Sequence, residues 1–516
     1  MPESRTHKSL LNAKVNLIFY FISLALAFFS RKIFLDCLGA DFIGLTGTIG
    51  NMLSFLNLAE LGIGTAFYVS LYKPLFDQDK KKINEIISVL GYLYQKLGLL
   101  ILNAGIILGC FFPLIFKDTT LSLGIIYFTY VSYLSSSLLT YFINYKQTLL
   151  SADQRNYIVI AYLNTARVLK VIIQIAITYY THNYYYWIAM ELLFGICYCF
   201  VLNWKIKQTY PWLKTNIHRG KELLPHYKET KTKIKQIAVQ RLSFFAYEQA
   251  LPLIIFAFTS LQIVAYYNNY TLITTSLTIL IFNVLGSVGT SVGNLIAEGN
   301  REKIINIFWE IYSLHLLIIG VCIFAVYHLI NPFIILWLGE KYILNNTTLI
   351  LILSNLFIRN YLETNYNFLR GYGLFDDVWA SYTEAGINIV LAITFGYFYG
   401  INGVLIGGVT GTALNTFIWK PYYLFHNGFK QSSKHYYKTT IKYMILLIIA
   451  WIISHHLLSF IVIANNNIFY NWILSAIATL LTISIIWGSI LYLFTNETKK
   501  LCNRIYYLMN SRKLKL

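Results

Sequence analysis

Four polar residues interrupt an apolar stretch near position 170: Asn164, Arg167, Lys170 and Gln174. Spacings of three, three and four place them on one face of a helix. Two cations on one face, with no acid close by in sequence, suit an anionic ligand held in a wet space. An ionisable group near the middle of a bilayer costs about 2.5–3.5 kcal/mol on insertion scales, so each needs a reason. The competing reason here is a long side chain reaching back to the membrane surface. Arg241 and Glu248 are seven apart, again on one face, with Pro252 just beyond. Proline kinks a helix and frees a carbonyl, a common feature of cavity-lining helices; an ion pair between helices is the bland alternative. Arg359 and Glu363 are four apart and can pair with each other, which favours a structural role. Arg31 and Lys32 lie near one end of the first apolar run, where they can reach the surface or meet a phosphate on that side. Glu60 shares a face with Asn57 and Gly64, and is a candidate partner for one of the arginines or a protonatable group. Glu60, Glu248 and Glu363 are thus the candidate coupling or pairing acids. Glu191, Glu310 and Glu384 lie near span ends or in inner halves and carry less weight. His315, His328, His455 and His456 do not cluster in sequence and read as interface residues.

The elements that must position these groups are membrane helices. The chain has 516 residues, 57% of them hydrophobic and 12% charged, with mean hydropathy +0.56. A soluble domain carries about 25% charged residues, so this chain cannot cover itself with a polar surface. Apolar runs of about twenty residues match the thickness of a bilayer. The net charge of +19 does not point to nucleic acid, because the basic residues lie between apolar runs and form no patch. The six cysteines make no framework, and neither a metal-ligand spacing nor a cofactor motif is present. There is no phosphate-binding glycine loop with its lysine, no zinc motif and no nucleophile elbow. Transport remains, driven by an ion gradient, a membrane potential or substrate pull. The first apolar run lacks a small-residue cleavage site and reads as a retained span.

Spans are expected at 15–35, 43–72, 89–115, 121–145, 157–180 and 184–203, then at 237–260, 263–297, 307–330, 345–368, 379–399 and 402–425, and finally at 441–463 and 469–494. With the amino terminus inside, every inner loop is basic, and the outer loops hold only Arg31, Lys32, Lys117 and Lys341. That alternation is the positive-inside rule, and it predicts fourteen helices with both ends in the cytoplasm. Residues 1–203 form an expected amino-terminal lobe and 204–236 a basic cytoplasmic linker. Residues 237–428 form a second six-helix lobe, and 429–516 add two spans and a basic tail. Leu61-Gly62 against Leu285-Gly286, Lys82-Ile83 against Lys303-Ile304, and Ser151-Ala152-Asp153 against Gly371-Tyr372-Gly373 align at nearly constant offset, as two related halves would. The fold class is therefore an all-α integral membrane protein of two pseudo-symmetric lobes. The short outer loops weigh against a membrane glycosyltransferase or polymerase, which needs acidic catalytic residues in a sizeable outer loop.

Several runs resemble Wzx-type polysaccharide flippases of the multidrug/oligosaccharidyl-lipid/polysaccharide (MOP) exporter superfamily. They are Leu38-Gly39-Ala40-Asp41-Phe42-Ile43-Gly44, Leu58-Ala59-Glu60-Leu61-Gly62-Ile63-Gly64-Thr65-Ala66, Leu71-Tyr72-Lys73-Pro74, and Gly400-Ile401-Asn402-Gly403-Val404-Leu405-Ile406-Gly407. The resemblance rests on their order and spacing over nearly the whole chain. It implies a MATE-like, V-shaped bundle in the bacterial inner membrane, with a cationic cavity of alternating access. It also implies an undecaprenyl-pyrophosphate-linked oligosaccharide as cargo, membrane lipids as surroundings, and a polysaccharide polymerase and chain-length regulator as partners, for O-antigen or capsule. Arg167, Lys170, Arg241, Arg359 and Arg31 fit a cationic cavity by type and position, though no motif aligns them one by one. The flippase for peptidoglycan precursor is a close variant. A cation-coupled multidrug exporter is the alternative, and it would favour about twelve spans and an acid-lined cavity.

Overall fold

The computed structural model describes residues 5–513 apart from 61–62, 154, 228–249, 286–291, 293–294, 297–298, 375 and 461–466. Every regular element among the described residues is helical. The longer helices are α1 (Arg5–Leu56), α2 (Ile63–Phe76), α3 (Lys80–Cys110), α4 (Leu123–Phe142), α5 (Asn156–Thr181), α6 (Tyr184–Thr209) and α7 (Leu261–Leu285). After these come α8 (Arg301–Trp337), α9 (Asn346–Tyr361), α10 (Glu363–Gly371), α11 (Val378–Leu414), α12 (Lys434–Ser459), α13 (Ile468–Phe494) and α14 (Asn496–Lys513). Nine segments among the described residues are long and apolar enough to cross a membrane, and the chain is a multi-pass membrane protein. Two of the nine, Ile18–Leu56 and Val378–Gly428, run to 39 and 51 residues. At 1.5 Å per residue the shorter reaches about 58 Å, against about 30 Å of hydrocarbon. Each folds at a glycine. Gly39 has φ 82° inside α1, and Gly400 has φ 56° inside α11. Glycine takes that left-handed backbone without the cost a side chain would add.

The two glycines sit in two of the runs that carry the family resemblance, and the structure shows what those runs do. Beyond Gly400, the arms of α11 meet so closely that a Cβ on Gly403 would lie 1.9 Å from the Phe395 carbonyl oxygen, and one on Gly407 would lie 2.1 Å from the Ala392 nitrogen. Small residues at such a seam let helices touch where lipid offers no hydrophobic drive to association. Asn402 accepts from the Thr348 hydroxyl at 2.5 Å, which ties the turn to α9. In α1, Asp41 follows the Gly39 kink and accepts from Thr120 at 2.8 Å.

α3 and α8 start before the expected apolar windows at 89 and 307, because their polar caps lie outside those windows. The Asp79 side chain accepts from the Lys82 amide and starts α3; Asn300 does the same for Lys303 and α8. Such caps are worth about 1 kcal/mol each.

The chain divides into compact units Met1–Ala265 and Tyr266–Leu516, later than the 204–236 linker. The linker itself is docked as far as it is described. Lys214 donates its amide to Asn84 at 2.8 Å, Asn216 to Ser88 at 3.0 Å, and Tyr145 pairs with Thr215. In the second unit, Phe308, Trp309, Tyr312, Phe368, Phe425, Phe429 and Tyr436 form an aromatic core of mostly edge-on rings. Such pairs add about 0.5–1.5 kcal/mol each beyond burial.

Candidate functional site

In the first unit, α5 and α6 form a hairpin, capped at its turn by His182 (φ 49°) and by the Asn183 side chain. Thr165, Leu169, Ile172 and Ala176 are exposed along one face of α5. Arg167 is exposed too, but it lies two residues from both Thr165 and Leu169, about half a turn around the helix. Among the described residues no hydrogen bond or ion pair holds its guanidinium; the nearby group that feels its charge is Tyr198 of α6. Gln174 and Thr178, further along the same face, are buried. The cationic face of α5 is thus closed at its carboxyl end and open around Arg167.

Lys170 is not free. Its Nζ lies 2.7 Å from Oε2 of Glu191 on α6. Gln174 donates to Oε1 of the same carboxylate at 3.3 Å and to the Trp187 carbonyl at 3.0 Å. In sequence no acid lies near these cations, and Glu191 carries little weight there. The hairpin supplies one, because the two helices run antiparallel and bring residue 191 beside residue 170.

Glu60 sits where the helix of the second expected span breaks, in the short 3-10 turn Asn57–Glu60 between α1 and α2. It accepts from Tyr94 at 2.7 Å and from Tyr141 at 3.0 Å. Its described partners are therefore tyrosines, not an arginine. Arg31 donates to the Ala265 carbonyl at 3.1 Å and is half-buried. Arg241 and Glu248 lie outside the described residues.

In the second unit the expected Arg359–Glu363 pair does not form. The helix breaks at Leu362, between α9 and α10, so the four-residue spacing no longer stacks the two side chains. Glu363 instead accepts from Arg370 at 2.6 Å, and Arg359 donates to Asn355 at 3.0 Å. A buried pair that spacing could not reveal joins Lys420 to Asp377 at 2.7 Å, with each side chain 6% exposed. Trp419 donates to the same carboxylate at 3.0 Å. His328 and His455, separate in sequence, stack with ring centroids 5.2 Å apart. They border a cavity of about 840 Å³ between α8, α9 and α12, lined by Gly320, Leu353, Phe357, Leu447 and Trp451 among others. No group of three or more metal-ligating side chains occurs among the described residues.

This architecture matches known transporters. A structure titled as the lipid II flippase MurJ in an inward closed conformation is similar over 94% of this chain and 99% of its own, with TM-score 0.65 and 16% identity. An inward-facing multidrug resistance MATE family transporter of the MOP superfamily is similar over 80% of this chain and 97% of its own, with TM-score 0.56 and 16% identity. A MATE structure in a bent conformation gives TM-score 0.50 at 13% identity, over 83% and 97%. No protein-family model matches the chain, and neither does any curated protein sequence. The chain has the fold of MOP-superfamily transporters.

Proposed function

We propose that the chain is a flippase that moves a polyprenyl-pyrophosphate-linked oligosaccharide, of the undecaprenyl type, across the bacterial inner membrane for surface polysaccharide synthesis. One observation carries the reading: Arg167 is exposed near the middle of α5, on the face opposite that helix's mostly apolar exposed stripe. A guanidinium so placed has no business with hydrocarbon and suits a phosphate-bearing headgroup. Arg31, Lys170, Arg241 and Arg359 are the further cations of this proposal. Polar sugars and a pyrophosphate do not cross hydrocarbon unaided, since unpaired polar groups cost several kcal/mol each there. Cations at reduced dielectric offset that cost. The apolar cavity between α8, α9 and α12 has the chemistry of the lipid's chain. Fourteen crossings with both termini in the cytoplasm, and movement of two lobes about the cargo, complete the proposal.

The test is deletion of the gene followed by analysis of lipid-linked intermediates. Undecaprenyl-linked oligosaccharide should accumulate on the cytoplasmic face, and the Arg241→Ala variant, present in the membrane at normal level, should fail to relieve it. Unchanged intermediates in the deletion strain would refute the reading.

A further inference from the structure

The flippase reading uses the cations of α5 but gives no task to the acid beside them. Glu191 turns both carboxylate oxygens to α5: Oε2 to Lys170 at 2.7 Å, Oε1 to Gln174 at 3.3 Å. Gln174 is buried and fixed by the Trp187 carbonyl. Ser136 of α4 donates to the main-chain carbonyl of Glu191 at 3.4 Å. From α4, Tyr133 is the titratable group that feels the Glu191 charge. The Lys170 and Glu191 side chains keep 18% and 15% of their exposure, so a ligand can still reach the pair. One turn away Arg167 is exposed and unopposed. Two neighbouring cations of one face therefore stand in different states, one cancelled and one open.

We propose that Glu191 sets the affinity of this seam by standing in for a phosphate at Lys170, so that headgroup binding exchanges one anion for another. The proposal rests on the flippase reading. Arg167 and Lys170 together would present two positive charges; Glu191 reduces the net to one. Two unopposed cations at reduced dielectric would hold a pyrophosphate strongly. A carrier must bind firmly enough to load and loosely enough to let go. A resident carboxylate meets both needs. It gives way when the headgroup arrives at Lys170, and it takes Lys170 back as the headgroup leaves. Gln174 makes the exchange affordable: its amide keeps one carboxylate oxygen while the other releases the ammonium, so the displaced acid is never without a partner. Glu191 is thus a positioning and affinity-setting residue, and Lys170 and Arg167 are the contacts.

The experiment measures binding of undecaprenyl pyrophosphate to the purified full chain in lipid nanodiscs, together with translocation of a labelled undecaprenyl-pyrophosphate saccharide in proteoliposomes. The Glu191→Gln variant keeps the hydrogen-bonding shape and loses the charge. It should bind about tenfold tighter than wild type and turn over more slowly, a split between affinity and rate that a purely structural residue would not produce. Inorganic pyrophosphate should show the same tightening, because the exchange is at the phosphate. Adding Lys170→Gln to Glu191→Gln should return affinity to the wild-type level or below. If Glu191→Gln does not fold, Glu191→Asp keeps the charge but draws it back from Lys170, and should tighten binding by about threefold. Wild-type binding with no tightening in these variants overturns the role of Glu191 and leaves the flippase reading standing. A wild type that neither binds nor moves the lipid overturns both.

Discussion

In the first unit, α5 and α6, both long and apolar enough to cross a membrane, bring Arg167, Lys170, Gln174 and Glu191 together with the charges only partly matched. In the second unit, α8, α9 and α12 enclose about 840 Å³ of mostly apolar lining, with His328, Ser354 and His455 among its few polar groups. The difference is in how each region meets the cost of its contents. The seam holds polar groups inside a bilayer and keeps them partnered through a hairpin, apart from one guanidinium. The groove leaves its apolar walls open to something equally apolar. Under the proposed function the charged seam takes a headgroup and the apolar groove takes hydrocarbon.

The comparison breaks most sharply at Arg167. Arg167→Ala should cut translocation of a lipid-pyrophosphate saccharide about a hundredfold, the loss expected from one charged contact of about 2.7 kcal/mol, while Arg167→Lys keeps part of it. Measured rates in proteoliposomes check this, and an unaffected Ala variant would move the headgroup site elsewhere. Filling the groove tests the other region. Ser354→Trp should slow the long-chain lipid about tenfold, the cost of displacing apolar contacts of about 1.4 kcal/mol, and leave inorganic pyrophosphate binding unchanged by calorimetry. If both ligands suffer, the groove is not a separate tail site.

The ion pairs of the second unit extend the contrast from transport to stability. Asp377→Asn strands Lys420 in a 6% exposed pocket, and should destabilise the protein by about 3–5 kcal/mol, read as a lower midpoint in thermal unfolding. Glu363→Gln breaks a pair whose Arg370 side chain is 50% exposed. It should cost under about 1 kcal/mol, and a larger shift would mean that the α9–α10 break depends on that pair.

Much of the fold was legible because long apolar runs and glycine positions carry it. Windows such as 157–180 and 469–494 fall within a residue of α5 and α13, since a bilayer fixes helix length directly. The gaps between windows 15–35 and 43–72, and between 379–399 and 402–425, contain the kinked Gly39 and Gly400, although the close contacts there show only in three dimensions. The site was legible only where one helix carries it. Arg167, Lys170 and Gln174 share a face by spacing alone, whereas Glu191 is set beside them by the α5–α6 turn, 21 residues after Lys170. The stacking of His328 on His455 and the burial of Lys420 with Asp377 depend likewise on packing between distant segments. Arg359 and Glu363 show the opposite failure: the spacing was right for a helix, but the helix ends between them.

The most direct measurement is the rate at which the purified wild-type chain carries a labelled undecaprenyl-pyrophosphate saccharide from one leaflet of a proteoliposome to the other, alongside a labelled phosphatidylcholine. The account predicts rapid movement of the first, background movement of the second, and near-background movement of the first by Arg167→Ala. Equal rates for the two lipids, or full activity without Arg167, would contradict it.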